Sequence, residues 1–463
     1  MIKMRKLTTS LLIMAMVLSM GACGSKKEDT KGNDSNEQSG IESDKPAGGR
    51  DVDVEILQYK IEIEEALKEA VETYMKLYPN VHITVDTMGG QDTVETLYKA
   101  KIASGEMPDI FNCTGPVSCK IYADYLEDLS DQPWVDKANA GMLDLDKVGD
   151  KIYGMPVTTE GMGLITNKAM FEAVGIDVST LDTYDKIDEA FNTLQTAIDK
   201  GELKDQFPNL QNVTAVQAGA TWVLGNHAIN VALTPEFNGD VFACADADEV
   251  SFEYKQSYID YTNLQLKYSA GKDDPSKCIT IEYTDAVQDL LANGKVAVIQ
   301  QGNWIYNDVA KIDQTIADSL VYLPVPIKGY KEDCIFSIVS NYWCVNKQSD
   351  DDVRDACKHF LNWLYQSDTG KNIVVNEFGF TPVFNNYGDL KPSDPLTQNM
   401  VEFLENGKAI SMVYRGAPTG EDYTMNVFGA NVQGVLAGKM TWDECFDKSA
   451  KEWASRRAEE NKE

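Results

Sequence analysis

The sequence has few of the residues and none of the motifs on which most enzymes depend. It has three histidines among 463 residues, at positions 82, 227 and 359. It contains no G-x-S-x-G, G-x-x-x-x-G-K-[ST], H-E-x-x-H or G-x-G-x-x-G motif and no EF-hand loop. Serine hydrolase, P-loop, zinc protease and dinucleotide-binding functions are therefore not indicated, and we predict a non-enzymatic protein without cofactor or metal.

Basic residues are also scarce. Lysine and arginine together number 42 against 73 aspartates and glutamates, so the formal net charge is −31. Loss of residues 1–22, which hold three basic and no acidic residues, would bring it to −34. A surface this negative is repelled by phosphate backbones and anionic headgroups. We therefore expect no nucleic-acid partner. Neutral or cationic small molecules remain as candidate ligands.

Long apolar runs are absent except near the N-terminus. The run from residue 7 to residue 20 follows three basic residues and is too short to span a bilayer, which is typical of a secretory signal peptide over 1–22. The Met-Gly-Ala-Cys that ends at Cys23 resembles the lipobox of bacterial lipoproteins, in which the cysteine is lipidated. Residues 23–50 are almost devoid of apolar side chains, so we predict a lipidated cysteine on a disordered tether at the outer face of the cell membrane.

The cysteines show no metal-binding or redox spacing. Besides Cys23 there are eight, with no C-x-x-C pair, at positions 113, 119, 244, 278, 334, 344, 357 and 445. An even count in an exported chain is compatible with disulfides. Several of them lie within apolar segments, which favours buried free thiols, and the sequence leaves both alternatives open.

The remaining chain of about 410 residues exceeds what one core usually holds, so two domains are expected. Residues 52–111 alternate strand, helix, strand, helix, strand, which is typical of a parallel sheet with crossover helices. Ligands of such sheets gather at the carboxyl ends of the strands. A mostly helical block follows, and α/β patterning returns near residue 335. This order predicts two lobes between which the chain passes more than once.

Several segments are individually weak signals but informative in combination. In chain order they are "ASGEMPDIF", "YADYLEDLSD", "KIYGMPVTTEGMGLITNKAMFEAVGID", "KVAVIQQGNWI", "LPVPIKG", "ACKHFLNWLYQSDTGKNIVVNEFGFTPV" and "VLAGKMTWDECFDKSAKEW". Together they resemble family 1 extracellular solute-binding proteins, the carbohydrate receptors of ABC importers. The resemblance implies an α/β, two-lobed periplasmic-binding-protein-like fold of type II, with three hinge crossings and a sugar in the cleft. It also implies a monomer that works with ABC transporter permease subunits.

The resemblance places the crossings near residues 156–160, 323–327 and 379–383. Each of these segments contains a proline, which favours extended chain. The implied lobes are 51–157 plus 326–379 for lobe 1, and 158–325 plus 380–463 for lobe 2.

A sugar presents a patch of C–H bonds and a rim of hydroxyls, so its site needs flat aromatic rings and planar polar groups. In the resembled family, the position of Trp304 supplies a tryptophan that stacks on a sugar ring, and Gly302 and Asn303 beside it allow close approach of the ligand. Glu160 matches an acidic sugar ligand of the family, and a carboxylate accepts strong hydrogen bonds from two hydroxyls.

Further candidate ligands are taken from strand ends and loops. Those of the early strands are Tyr59, Lys60, Met88, Gln91, Asn112 and Thr114, and those of later segments are Gln217, Trp222, Asn341, Tyr342, Tyr414, Arg415 and Tyr423. The number of aromatic candidates favours an oligosaccharide over a monosaccharide, although the sequence does not name the sugar.

Three other functions remain open. A receptor of the same fold for a cation such as a polyamine would show an acidic cage in place of stacking tryptophans. An exported glycosidase would need two carboxylates at a fixed separation. Because the chain has 73 acidic residues, two of them lie close together in almost any fold, so such a pair would not indicate a glycosidase. An adhesin or structural lipoprotein would lack a hinge.

Overall fold

The computed structural model of the protein describes residues 45–88 and 91–462, and of residues 91–95 it describes the backbone alone. The predicted signal peptide, the predicted lipidation site Cys23 and the predicted tether up to residue 44 lie outside the described residues. Within the described ranges, no helix has both the length and the apolar character needed to cross a bilayer.

The end of the predicted tether is folded onto the protein. Residues Pro46–Gly49 form a short 3-10 turn in which Pro46 and Ala47 are buried. The backbone N–H of Ala47 donates a hydrogen bond to Oδ2 of Asp355 at 2.7 Å. The prediction of disorder is therefore wrong for residues 45–50, because two small apolar side chains pack against the body of the protein.

The described residues contain thirteen strands. In chain order they are β1 (Val52–Gln58), β2 (Val81–Thr87), β3 (Ile110–Cys113), β4 (Lys147–Val148), β5 (Lys151–Ile152), β6 (Met155–Pro156), β7 (Thr159–Asn167), β8 (Asn212–Ala215), β9 (Val296–Gly302), β10 (Leu320–Leu323), β11 (Ile335–Val339), β12 (Tyr342–Val345) and β13 (Ala409–Ser411). Five form a first sheet in the order β2-β1-β3-β12-β6. Six form a second sheet, β13-β11-β7-β9-β8 with β10 paired to β7, and β4 and β5 make a small hairpin.

The described residues also form sixteen α-helices. They are α1 (Glu64–Leu77), α2 (Gln91–Ser104), α3 (Pro116–Ile121), α4 (Lys168–Glu172), α5 (Tyr184–Lys200), α6 (Asn230–Glu236), α7 (Val241–Asp246), α8 (Lys255–Lys267), α9 (Tyr306–Ile312), α10 (Gln314–Asp318), α11 (Asp351–Gln366), α12 (Asp368–Asn372), α13 (Pro395–Glu405), α14 (Glu421–Tyr423), α15 (Ala430–Leu436) and α16 (Trp442–Glu460). As predicted, the first sheet begins with β1 parallel to β2 and β3, connected by helices. The strands β12 and β6 complete it in the antiparallel direction.

Local sequence explains the elements that frame the site. In α1, Leu67, Ala70, Val71 and Tyr74 recur at helical spacing and are buried. Leu77, the last residue of the helix, is 51% exposed. Each sheet has its own buried apolar core, as expected when a chain of this length divides into two units.

The passages of the chain between the sheets partly differ from prediction. The first joins β6 to β7 at residues 156–159, inside a predicted crossing. The predicted crossing at 323–327 is wrong, because the strands on either side of it, β10 and β11, both belong to the second sheet. The chain returns to the first sheet at residues 340–341, between β11 and β12.

The last predicted crossing, at 379–383, is also displaced. Phe380, Val383 and Tyr387 are buried in the core of the first sheet. The next helix, α13, instead packs in a core of the second sheet. The passage therefore falls between residues 387 and 395, and the division into lobes stays a prediction with these two boundaries moved.

Candidate functional site

A cavity of about 480 Å³ is lined by residues of both sheets. One side is formed by residues 59–62, which follow β1 of the first sheet. The other side is formed by the start of β7, the turn after β9, and two π-helical turns, Val223–His227 and Thr424–Gly429. The volume lies within the roughly 300–1,000 Å³ typical of small-molecule sites.

Lys60 is the charged centre of the wall that the first sheet contributes. Its Nζ lies 2.8 Å from Oε1 of Glu62 and 2.5 Å from Oε1 of Glu160 in β7. Burial alone would lower the pKa of Lys60, but Glu160 and Glu62 raise it above its usual value, so the ammonium is charged at neutral pH. The ion pair between Lys60 and Glu160 joins the two sheets at the edge of the cavity.

Four rings from the second sheet and its helices form what we call the aromatic wall, namely Trp222, His227, Tyr283 and Trp304. The ring centroid of His227 lies 4.9 Å from that of Trp222 and 5.4 Å from that of Trp304. The ring of Trp222 also lies 5.7 Å from that of Tyr283. Both tryptophans are only partly buried, so they offer apolar surface to a molecule in the cavity.

His227 belongs to this wall as a neutral ring. Burial lowers the pKa of His227 to about 3, so it carries no charge near pH 7. Its Nδ1 is buried and makes no hydrogen bond to any described residue. The imidazole therefore acts as an aromatic spacer between the two tryptophans.

A chain of glutamine amides fixes the indole of Trp304. Nε1 of Trp304 donates to Oε1 of Gln301 at 3.0 Å, and Nε2 of Gln301 donates to Oε1 of Gln217 at 2.7 Å. Nε2 of Gln217 in turn donates to the carbonyl of Gln300 at 2.9 Å. Gln217, predicted as a ligand, is therefore a buried residue that positions Trp304 through Gln301.

Two glycines allow close approaches that no other residue would permit. A Cβ at Gly302 would lie 2.0 Å from the ring of Trp304 and 2.3 Å from the carbonyl oxygen of Gly161. A Cβ at Gly225 would lie 2.0 Å from the carbonyl oxygen of Thr424, where the two π-helical turns meet. The indole and both turns can therefore occupy their places only because these positions lack a side chain.

Arg415 ties the loop before α14 to the passage between β11 and β12. Nη1 donates to the carbonyl of Val339 at 2.6 Å, and Nη2 donates to the carbonyl of Ser340. Nε donates to the hydroxyl of Tyr414 at 3.1 Å. The hydroxyl of Tyr59, from the first sheet, donates to the same Ser340 carbonyl at 3.3 Å. Most donors of this guanidinium are thus used within the protein.

Seven of the predicted ligand residues come together around this cavity. They are Tyr59, Lys60, Glu160, Trp222, Trp304, Tyr414 and Arg415. Because they are drawn from residues 59 to 415, only the tertiary fold brings them together.

Other predicted ligand residues do not line the cavity, because their side chains are buried elsewhere in the protein. Besides Gln217, they are Asn112, Thr114, Asn303, Asn341, Tyr342 and Tyr423. The hydroxyl of Tyr342, for example, donates to the carbonyl of Met142 at 2.9 Å. Asn303 lines a small neighbouring cleft and accepts a hydrogen bond from the backbone of Gly161 at 3.1 Å.

Two candidate ligands from the ends of the early strands remain, Met88 and Gln91. Met88 is half-buried and packs against a core cluster of the first sheet. The side chain of Gln91 lies outside the described residues, as does Cys23.

Sequence reasoning missed a second group of cavity residues, which are Ile61, Glu62, His227, Glu282, Tyr283 and Met425. Glu62 follows Lys60 by two positions, and this spacing is the signal that could have indicated it. His227 and Met425 carry no such signal, because they reach the cavity only through π-helical turns that the residue pattern does not reveal.

The fold and the cavity define a two-lobed α/β binding protein. The family model for "Bacterial extracellular solute-binding protein" matches residues 69–401, which is more than half of the chain. The protein belongs to this family, whose members act outside the cytoplasm.

Two characterised relatives share short stretches with the chain. The xylose/arabinose-binding protein XacG of Haloferax volcanii is 24% identical over 253 residues, which cover 52% of this chain and 51% of XacG. A multiple sugar-binding protein of Streptococcus mutans is 24% identical over 143 residues, which cover 30% of this chain and 33% of that protein. The chain thus spans about half or less of these relatives.

Solved structures extend the likeness to almost the whole chain at the level of fold. A chitin oligosaccharide binding protein has a TM-score of 0.69 at 21% identity, covering 88% of this chain and 99% of that chain. RafE in complex with raffinose has a TM-score of 0.68 at 16% identity, covering 88% of this chain and 100% of that chain. Maltose-bound MalE3 of T. maritima has a TM-score of 0.67 at 20% identity, covering 87% and 98%.

Proposed function

We propose that the protein is a lipid-anchored receptor that captures a carbohydrate, specifically an oligosaccharide, between its lobes and delivers it to an ABC importer. The observation that carries this proposal is the aromatic wall, which faces Lys60 and Glu160 within one cavity. Flat rings bind the C–H faces of sugars, while carboxylates and amides bind the hydroxyls, so this composition matches a carbohydrate.

The known proteins with this sequence family and fold support the same ligand class. XacG is described as binding xylose and arabinose, and structures of the same fold hold raffinose and maltose. These proteins differ in their sugars, so they support carbohydrate as the class and leave the particular glycan to experiment.

The charges of the cavity favour a neutral ligand over a polyamine. Two of the carboxylates, Glu62 and Glu160, are already paired with Lys60. A polyamine would have to compete with that buried ammonium for the same oxygens. Glu282 is an exposed carboxylate at the rim of the cavity, and a single such group does not form an acidic cage.

A thermal-shift panel tests the ligand class. Oligosaccharides, monosaccharides, polyamines and short peptides are added to the purified protein, because a ligand that binds only the folded state raises its stability. We expect an oligosaccharide to give the largest increase in melting temperature. Stabilisation by a polyamine or a peptide alone would contradict the proposal.

The variant Trp304→Ala then tests the aromatic wall. Loss of a buried aromatic contact of this kind costs about 2 kcal/mol or more, so the calorimetric Kd for the sugar should rise by about 30-fold or more. The matched control is Trp442→Ala, since Trp442 is also partly buried but packs against Tyr258 and Phe446 away from the cavity. Equal affinity of Trp304→Ala and the wild type would refute the stacking role.

The anchor is tested separately with Cys23→Ser in the producing cell. Without the thiol no diacylglycerol can be attached, so the variant should move from the membrane fraction to the medium or the soluble fraction. A variant that stays in the membrane fraction would contradict the lipid anchor. It would not bear on the proposal that the cavity binds a sugar.

A further inference from the structure

A buried cluster of thiols surrounds one carboxylate in the first sheet, away from the cavity. The thiol sulfurs of Cys113 and Cys344 and a carboxylate oxygen of Asp146 all lie within 4.8 Å of one another. A third thiol, that of Cys119, is buried in the same core cluster as those of Cys113 and Cys344. All four side chains are buried.

The carboxylate has no ion-pair partner among the described residues, and the charge of Arg415 offsets the effect of its burial only in part. Its Oδ2 accepts a weak hydrogen bond from Sγ of Cys344 at 3.5 Å. Its Oδ1 is buried and has no hydrogen-bond partner among the described residues, and no lysine or arginine of the described chain forms an ion pair with it. An ionised carboxylate in such a place is costly unless it is paired or coordinates a metal.

The four groups come from four different segments of the chain. Cys113 ends β3, Cys119 lies in α3, Cys344 lies in β12, and Asp146 ends a 3-10 turn, Asp144–Asp146. The backbone makes room for this arrangement, since a Cβ at Gly154 would lie 2.5 Å from Oδ2 of Asp146. A metal bound by these groups would therefore link four segments of the first sheet and its surroundings.

We propose that Cys113, Cys119, Cys344 and Asp146 form a structural binding site for a thiophilic divalent cation, Zn²⁺ in particular. Structural zinc sites take four ligands in a tetrahedron, with thiolates about 2.3 Å from the metal and therefore about 3.8 Å from each other. The two sulfurs and the carboxylate oxygen of Cys113, Cys344 and Asp146 lie within 4.8 Å of one another, so side-chain movements would bring these three to a metal, and Cys119 would supply the fourth ligand. Thiolate ligands select zinc over magnesium or calcium, which prefer oxygen.

The proposal is tested with Co²⁺ as a spectroscopic probe on the reduced, metal-free protein. We expect one Co²⁺ per chain, a thiolate-to-cobalt charge-transfer band, and loss of the band when Zn²⁺ is added. The variants Cys344→Ala and Asp146→Asn should weaken Co²⁺ binding by at least about 100-fold, since even outer partners of metal ligands matter by 10- to 100-fold. Cys357→Ala, which removes a buried thiol in a different core cluster of the first sheet, should bind Co²⁺ like the wild type.

Three outcomes would overturn the proposal. They are a wild-type protein that gives no charge-transfer band, a band of equal affinity in folded Asp146→Asn, or a disulfide between two of the three thiols in the protein isolated without reductant. Asp146→Asn preserves the shape of the side chain, and circular dichroism verifies its fold. The wild-type titration decides the question even if Cys344→Ala does not fold, and it is independent of sugar binding.

Discussion

At the scale of single residues, the aromatic wall depends on side chains that never touch the cavity. Trp304 was predicted from its position in the resembled family, and it does line the cavity. Its orientation is set by Gln301 and Gln217. Gln217 was predicted as a ligand, and its residue type does not reveal that its amide is used inside the protein. Residue type thus predicted which side chains are chemically suited to a sugar, but not which of them are already satisfied inside the protein.

His227 gives a prediction for the pH dependence of stability. Its folded-state pKa of about 3 lies below the usual 6.5, so the unfolded chain takes up a proton first as the pH falls. The contribution of His227 to the free energy of unfolding is therefore fully present above pH 6.5 and is lost progressively toward pH 3. By pH 5 the free energy of unfolding should have fallen by about 2 kcal/mol. Denaturant unfolding between pH 6.5 and 5 measures this decline, which His227→Phe should abolish. His82→Gln, at an exposed position of β2, is the control that should retain it. An identical decline in His227→Phe would contradict the assignment.

At the scale of elements, regular periodicity was predictable and interruptions were not. The helix Tyr184–Lys200 lies in the block that was predicted to be mostly helical, and Thr183 caps its start while Gly201 ends it in the left-handed region. The apolar segment near residue 335, where α/β patterning was predicted to return, forms two strands in different sheets. Both halves are apolar and buried, so the pattern does not reveal the break at residues 340–341. The polar pair Ser340 and Asn341 was the available signal.

Gly302, at the end of β9, gives a prediction at this scale. In Gly302→Ala the new Cβ would collide with the Trp304 ring and with the Gly161 backbone of β7, so the indole must move. We expect at least a tenfold loss of sugar affinity by calorimetry, together with a lower melting temperature. Gly434→Ala in α15 is the control, because its Cβ would meet only the flexible end of Met440. Unchanged affinity in folded Gly302→Ala would contradict the role of this close approach.

At the scale of the whole molecule, the general architecture was predictable, while the paths between its sheets were not. The order of strands and helices and the family resemblance led to the two-lobed α/β fold. Two of the predicted crossings were misplaced, since prolines mark extended chain without marking a change of sheet. The ion pair between Lys60 and Glu160 and the hydrogen bond from Tyr59 to Ser340 span this boundary, so the lobes meet through polar contacts at the edge of the cavity. Such contacts can rearrange when the lobes close around a ligand.

Capture between lobes requires that the sugar bind the closed form more tightly than the open form, because a ligand with equal affinity for both would shift nothing. The most direct test is small-angle X-ray scattering of the wild-type protein with and without the oligosaccharide that stabilises it most. We predict a smaller radius of gyration in the presence of the sugar and no such change in Trp304→Ala at the same concentration. A saturated wild-type protein whose radius of gyration is unchanged would contradict capture by closure.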